Sequence, residues 1–302
     1  MNGPVTIKDQ LNRALSRTTG YQLARQPEAM RAEIRQEFDE KLNARLQQIH
    51  KRHRRQMARQ KKKLSGGADR SRGKGRSQER IPSYVDDGTR EIIEKSRPRT
   101  LTGVQKLLPL VDAVRYTAEH QIPGAIVECG VWRGGSMQAA AWTLLEAGVS
   151  DRDLHLYDTF EGMSEPTEED VQTRSRAAAA DLLAAGKAKC LADLDDVRQG
   201  MAETGYPMDR IHFHPGKVED TTPEQAPDQI ALLRLDTDWY ESTKHELEHL
   251  YPRLSPGGVL IIDDFGSWDG ARKATLEWLE ATREPLLLVS LGAARIAVKP
   301  SR

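Results

Sequence analysis

Residues 125–136, AIVECGVWRGGS, decide how this chain reads. An apolar run, Ala125-Ile126-Val127, meets an acid, Glu128, and then a turn dense in glycine at Gly130, Gly134 and Gly135. A short apolar run closed by glycines reads as a buried strand whose end feeds the loop that opens a helix. Glycine lets backbone N–H groups approach a ligand closely, and a helix N-terminus favours an anion. The spacing is G-x-x-x-G-G, so the dinucleotide fingerprint G-x-G-x-x-G is not met. An acid before the glycines suits a ligand with a cationic or hydroxyl-rich part. The same pattern fits an ordinary strand–helix turn, so the flanking sequence has to arbitrate.

Downstream, residues 154–157 read as a second strand ending at Asp158. An acid there in a doubly wound sheet can accept both hydroxyls of a ribose, and capping of residues 160–163 is the alternative. Residues 211–214, 230–235 and 259–262 read as the next three strands, the last entered through Pro256-Gly257-Gly258. The nearly continuous apolar run 230–235 fits a sheet covered on both faces. Helical patterns occupy 99–121, 137–147, 191–203, 241–250 and 268–282, and the acidic, then alanine-rich stretch 166–186 reads as a helical insertion over the site. Residues 286–291 and 294–298, parted by Gly292, read as a closing antiparallel pair. Strand–helix alternation of this kind predicts a three-layer, doubly wound and mostly parallel α/β domain.

The acids stand at the strand ends. The fourth strand runs into Asp236-Thr237-Asp238 and the fifth into Asp263-Asp264. Neighbouring strands lie about 4.8 Å apart, and in a parallel sheet both ends emerge on the ligand-binding edge. Four carboxylates then converge, and without compensation they repel and raise one another's pKa. A hard divalent cation such as Mg²⁺, which takes oxygen ligands and is shared with substrates, is the natural compensation. Asp236, Asp263 and Asp264 are the expected ligands, with Asp238 left as a general base. His245 and His249 share a helix face without a third soft ligand and read as a solvated pair. His212 and His214 point the same way from one strand and are expected in the core or on the rim.

The 302 residues carry no formal net charge, yet the first 80 hold 21 basic and 8 acidic side chains, leaving 24 and 37 for the rest. A basic arm thus precedes an acidic body. Met30, Ile34, Phe38, Leu42, Leu46, Ile49, Met57 and Leu64 recur at helical intervals, which suits a helix packing on the body or on a second chain. Its basic run, residues 50–63, lacks the interleaved aromatics that stack on bases, so a solvated or partner-docking face is favoured over nucleic acid. Residues 65–80 are rich in Gly, Ser and Arg and read as a flexible linker. The organisation is therefore an N-terminal helical extension over 1–64, a linker over 65–80 and a body over 81–302. Two cysteines, Cys129 and Cys190, are no disulfide framework. With no apolar run of membrane-spanning length and no secretory core at the start, the chain reads as cytoplasmic.

Four motifs in order carry a family resemblance. Val127–Gly135, Asp158-Thr159-Phe160-Glu161-Gly162, residues 233–243 (LRLDTDWYEST), and residues 250–258 (LYPRLSPGG) followed by Asp263-Asp264 resemble the macrocin O-methyltransferases over roughly residues 97–283. That family consists of S-adenosylmethionine- and Mg²⁺-dependent enzymes that methylate sugar hydroxyls of natural products. The resemblance implies a Rossmann-like methyltransferase sheet and a small-molecule sugar or glycoside substrate. It implies that Glu128 and the turn through Gly130, Trp132, Gly134 and Ser136 hold the methionine part of the cofactor, with Thr100 beside it. Asp158, with Thr159 and Phe160, would bind the ribose; Asp236, Asp263 and Asp264 would hold Mg²⁺; and Asp238 would be the base. Cys129, Thr237 and Trp239 depart from the family pattern, as does Met163-Ser164-Glu165-Pro166, and Trp239 is expected to alter the acceptor pocket.

Two other functions fit parts of the chain. A metal-dependent glycosyltransferase would use Asp236 and Asp238 as its D-x-D pair but leaves Glu128 and Asp263-Asp264 without a role. A non-catalytic binding protein would act through the basic arm, which is also the segment expected to mediate homo-oligomers or docking to a carrier, through residues 28–64.

Overall fold

The computed structural model describes residues 80–187 and 190–301. The helical extension, the oligomer or carrier docking expected of residues 28–64, and the linker up to residue 79 lie outside the described residues.

Strand β1 (Ala125–Cys129) is buried at every position, so it requires partners on both edges and cover on both faces. It pairs in parallel with β2 (Leu154–Asp158) and with β4 (Ile230–Leu235). Strand β3 (Ile211–Pro215) adds to β2, and β5 (Leu254–Ile262) adds to β4. Antiparallel β7 (Ala294–Val298) and β6 (Val289–Leu291) finish a seven-stranded sheet of order β3-β2-β1-β4-β5-β7-β6. The chain order reverses between β1 and β4, the position at which an open parallel sheet leaves a ligand crevice.

Alternation along the strands sorts side chains into two cores. On one face Ile126, Leu154, Leu156 and Leu232 pack with α2 (Val104–Glu119), α3 (Gly135–Glu146) and α5 (Leu194–Ala202). On the other, Val127, Cys129, Leu233 and Leu235 pack with Leu247 of α7 (Tyr240–His249) and Trp278 of α8 (Asp269–Thr282). Two helices lie outside the expected elements, the single turn α6 (Val218–Thr221) and α1 (Asp87–Ser96). The signal for α1 was local: Asp86 caps it, accepting from Thr89 N at 2.8 Å, ahead of the buried pair Ile92-Ile93.

Two stretches differ most from expectation. Strand β5 begins at Leu254, so Pro256-Gly257-Gly258 lies inside it; the β4–β5 register shifts between Ile230 and Leu232 to absorb the extra residues. The stretch 166–186 is not one helix. Val171 bridges Ala178, Gln172 bridges Trp268, and only α4 (Ala179–Ala184) is helical. Buried Asp170 explains the break, because its carboxylate is committed to backbone outside any helix of its own.

Candidate active site at the carboxyl edge of the sheet

Register brings Glu128, Arg234 and Ile261 side by side on β1, β4 and β5. One residue on, the ladder continues past the strands: Asp236 N donates to Cys129 O and Asp263 N to Leu235 O, both at 2.8 Å. Asp236, Asp263 and Asp264 are thereby collected, and each offers a carboxylate oxygen within 4.8 Å of the others. The expected metal-ligand trio is one cluster.

The compensation nearest these acids is one the sequence reading did not assign. Arg234, only 3% exposed, spends its guanidinium on four acceptors. They are Glu128 Oε1, Asp236 Oδ2 at 2.8 Å, Asp263 Oδ1 at 2.7 Å and Thr102 Oγ1 at 2.9 Å. Lys106, from the first turn of α2, reaches Asp263 Oδ2 and, at 3.0 Å, Asp263 O. An arginine inside an otherwise apolar strand was a readable signal, since a buried guanidinium requires acidic partners.

Two cations do not neutralise five carboxylates. Burial pushes Asp236 well above the usual range, with Asp263 and Asp264 adding to it against Arg234. Burial and the Asp238 charge do the same to Asp264. At Asp263, burial is outweighed by Arg234 and Lys106, which hold it below the usual value. Asp238, raised to about 7 by burial and Asp236, donates its N–H to Asp264 Oδ2 at 3.2 Å and accepts from the Trp268 side chain. Burial thus favours the protonated forms of Asp236 and Asp264, and a divalent cation would favour their carboxylates.

Glu128 is pushed up to about 7 by burial, against the pull of Arg234. Its second oxygen, Oε2, is buried with no hydrogen-bond partner. A stranded carboxylate oxygen costs free energy unless a cation or donor arrives. Nearby, Thr100 Oγ1 and Ser136 Oγ lie 3.4 Å apart at the start of α3.

Asp158 ties two loops together. Oδ2 accepts from Val131 N at 2.7 Å and Trp132 N at 2.8 Å, while Oδ1 accepts from Phe160 N at 2.8 Å. Oδ2 is filled, and Oδ1 also faces Thr159 Oγ1 at 3.5 Å, a long contact that a ribose hydroxyl would replace. Thr159 Oγ1 turns to Gly162 O, and the Phe160 ring is buried in the core. The glycines serve the protein's own packing: a Cβ on Gly130 would lie 2.1 Å from Asp236 O, and one on Gly135 2.6 Å from the Arg99 backbone. The Trp132 ring packs partly buried against the same core. Trp132, Phe160 and Asp238 adopt positive φ of 48°, 52° and 71°. Such backbone strain in non-glycine residues gathers at functional loops.

Trp239 is 2% exposed, donates to Ser164 O at 3.1 Å and meets Trp268 edge-on among Ala179, Met163 and Leu182. It anchors the 163–184 segment from within. Asp170 makes the second anchor, accepting from Tyr240 N at 2.7 Å at the start of α7, two residues after Asp238. Asp170→Ala removes this cap and should cost about 1–2 kcal/mol, lowering the melting temperature by a few degrees and reducing turnover. Glu169→Ala, which loses only an exposed pair with Lys273, should change neither, as a thermal melt will show.

The histidines lie elsewhere. His212 and His214 join His155 on the β2–β3 rim, with His155 Nδ1 and His214 Nε2 3.0 Å apart. His245 is tied to Thr222 O at 3.1 Å and meets the His249 ring at a tilt of 46°.

The family model of the macrocin O-methyltransferases (TylF) matches residues 24–289. The chain belongs to the macrocin O-methyltransferase family. It is an O-methyltransferase, which sets aside the glycosyltransferase and non-catalytic readings. The family match starts within the N-terminal arm, well upstream of the four motifs. The tetracenomycin-type 8-demethyl-8-(2,3-dimethoxy-alpha-L-rhamnosyl)-tetracenomycin-C 4'-O-methyltransferase of Streptomyces olivaceus is 37% identical over 206 residues, 66% of this chain and 77% of that protein. Mycinamicin III 3''-O-methyltransferase of Micromonospora griseorubida is 35% identical over 55% of this chain and 65% of its own length. The chain thus spans slightly less than two thirds of the second relative. The solved O-methyltransferase NovP superposes with a TM-score of 0.60 at 25% identity, covering 70% of this chain and 88% of that one. Among the described residues no helix is long and apolar enough to cross a membrane.

Proposed function

We propose that this member of the macrocin O-methyltransferase family transfers a methyl group from S-adenosylmethionine to a hydroxyl of a sugar on a glycosylated natural product, assisted by Mg²⁺, in the cytoplasm. The observation that carries this reading is the convergence of a half-used buried carboxylate, Glu128, and a three-aspartate cluster on one sheet edge, joined by Arg234.

The residues fit both groups. Glu128 Oε2 lacks a partner and suits the ammonium of a methionine moiety, with Thr100 and Ser136 supplying hydroxyls beside it. Asp158 keeps one acceptor position for a ribose hydroxyl. Asp236, Asp263 and Asp264 present hard oxygen ligands of the kind Mg²⁺ takes. When bound, the cofactor supplies an electrophilic methyl and the cation lowers the acceptor hydroxyl's pKa. Asp238 then takes the proton, and the Trp268 side chain holds it in position. Arg234 keeps Glu128 in register with Asp236 and Asp263, so that the two halves of the site stay aligned, and alignment is the main contribution to such a transfer. A sugar acceptor is supported by the two curated relatives, one of which is named for a rhamnosyl substrate.

The test is methyl transfer from labelled S-adenosylmethionine to rhamnosylated polyketides and their aglycones. Transfer to the glycoside only, lost with a chelator and restored by Mg²⁺, is expected. Transfer that survives chelation would remove the metal from the reading, and preference for the aglycone would remove the sugar. Because Asp236 and Asp264 hold protons above their usual range, Mg²⁺ binding should release protons and tighten as pH rises from 6 to 8, which calorimetry in buffers of different ionisation enthalpy will measure.

A further inference from the structure

We infer that Lys106 is a built-in counter-ion of the aspartate cluster, which a divalent cation must push aside. The inference rests on the metal reading above and adds a residue to it. Asp263 is held by two cations of unequal freedom: Oδ1 by Arg234 at 2.7 Å, Oδ2 by Lys106. Arg234 cannot leave. It is buried on β4, its four acceptors are fixed, and its departure would strand Glu128. Lys106 can leave. Its side chain is 20% exposed, sits on the first turn of α2 on a flexible four-carbon stem, and hydrogen-bonds only to atoms of Asp263.

With the cation absent, Lys106 shields the acids and keeps the edge of the sheet assembled. With the cation at Asp236, Asp263 and Asp264, an ammonium in contact with one of its ligands repels it. Like charges this close in a half-buried site interact strongly enough to alter affinity by an order of magnitude. Lys106 thus sets how much divalent cation the site requires, and the side chain swings outward as the ion enters.

The experiment titrates the full chain with Mg²⁺ alone by calorimetry and with Mn²⁺ alone by electron paramagnetic resonance. Lys106→Met is expected to bind both ions about tenfold more tightly than the unaltered protein, and Lys106→Arg about as tightly as it. Acetylation of Lys106 in the unaltered protein, read by peptide mass, should rise over the same Mg²⁺ range. Equal or weaker binding by Lys106→Met, or labelling that does not respond to Mg²⁺, would overturn the role of Lys106 while leaving the metal site intact. Failure of every variant, including the unaltered chain, to bind either ion would overturn the metal reading and this inference with it.

Discussion

Asp238→Asn should lower kcat by about a thousandfold, the loss typical of removing a general base, while changing the KM for the acceptor little. The substitution keeps shape and the hydrogen bonds to Asp264 and Trp268, so the melting temperature should hold or rise slightly. The pH profile is the sharper readout. A base must be deprotonated to act, so activity should climb with pH up to about 7, where burial and Asp236 place Asp238. A bound divalent cation favours the carboxylate and draws that rise to lower pH. Asp238→Asn should lose the rise altogether. A variant with full turnover, or one that retains the ascending limb, would move the base elsewhere.

Arg234→Met should produce the largest loss of stability. The guanidinium contacts Glu128, Asp236 and Asp263 together, and its removal leaves buried carboxylates facing one another. Breaking a buried pair from one side costs about 3–5 kcal/mol, which lowers the melting temperature of a domain this size by roughly 10 °C. The pH dependence follows from sign. Without Arg234 the folded-state pKa values of Glu128 and Asp236 rise further above their unfolded values, and Asp263 loses a cation that holds it below, so protonation offsets the defect at low pH and the loss grows as pH rises. The variant should therefore be closest to the unaltered protein near pH 5 and furthest from it near pH 8. Arg234→Lys should rescue little, since a single ammonium cannot replace a fork that serves four acceptors. A melting temperature within 2 °C of the original at pH 8 would contradict this role for the arginine.

The strand ends were legible because an acid after an apolar run is unusual and its neighbours in the sheet follow from α/β order. Asp236, Asp263 and Asp264 needed only that rule to be brought together. Lys106 was not legible: it meets Asp263 across 157 residues of sequence, from a helix whose placement no local pattern fixes. Arg234 was legible in principle, as a lone charge in an apolar strand, but its partners are apparent only from the β1–β4–β5 register. The packing of Trp239 was not legible either: its neighbour Asp238 adopts φ of 71°, and the indole ends among Trp268, Ala179 and Met163. The alanine-rich stretch 166–186 favours helix locally, yet Asp170 and the Gln172–Trp268 bridge hold most of it against the body. Asp158 shows the same limit. Its place at the end of β2 could be read, but not that Val131, Trp132 and Phe160 already occupy most of its lone pairs.

Asp158→Ala would dismantle both loops as well as any ribose contact, whereas Glu128→Gln keeps size, strand position and the bond to Arg234. Calorimetric titration of S-adenosylhomocysteine into the full chain and into Glu128→Gln therefore tests the central claim most directly. Micromolar binding by the unaltered protein is expected, weakened about a hundredfold in the variant, whose neutral amide cannot hold the ammonium. Equal affinity in both, or no binding by the folded unaltered chain, would contradict a cofactor site built on Glu128.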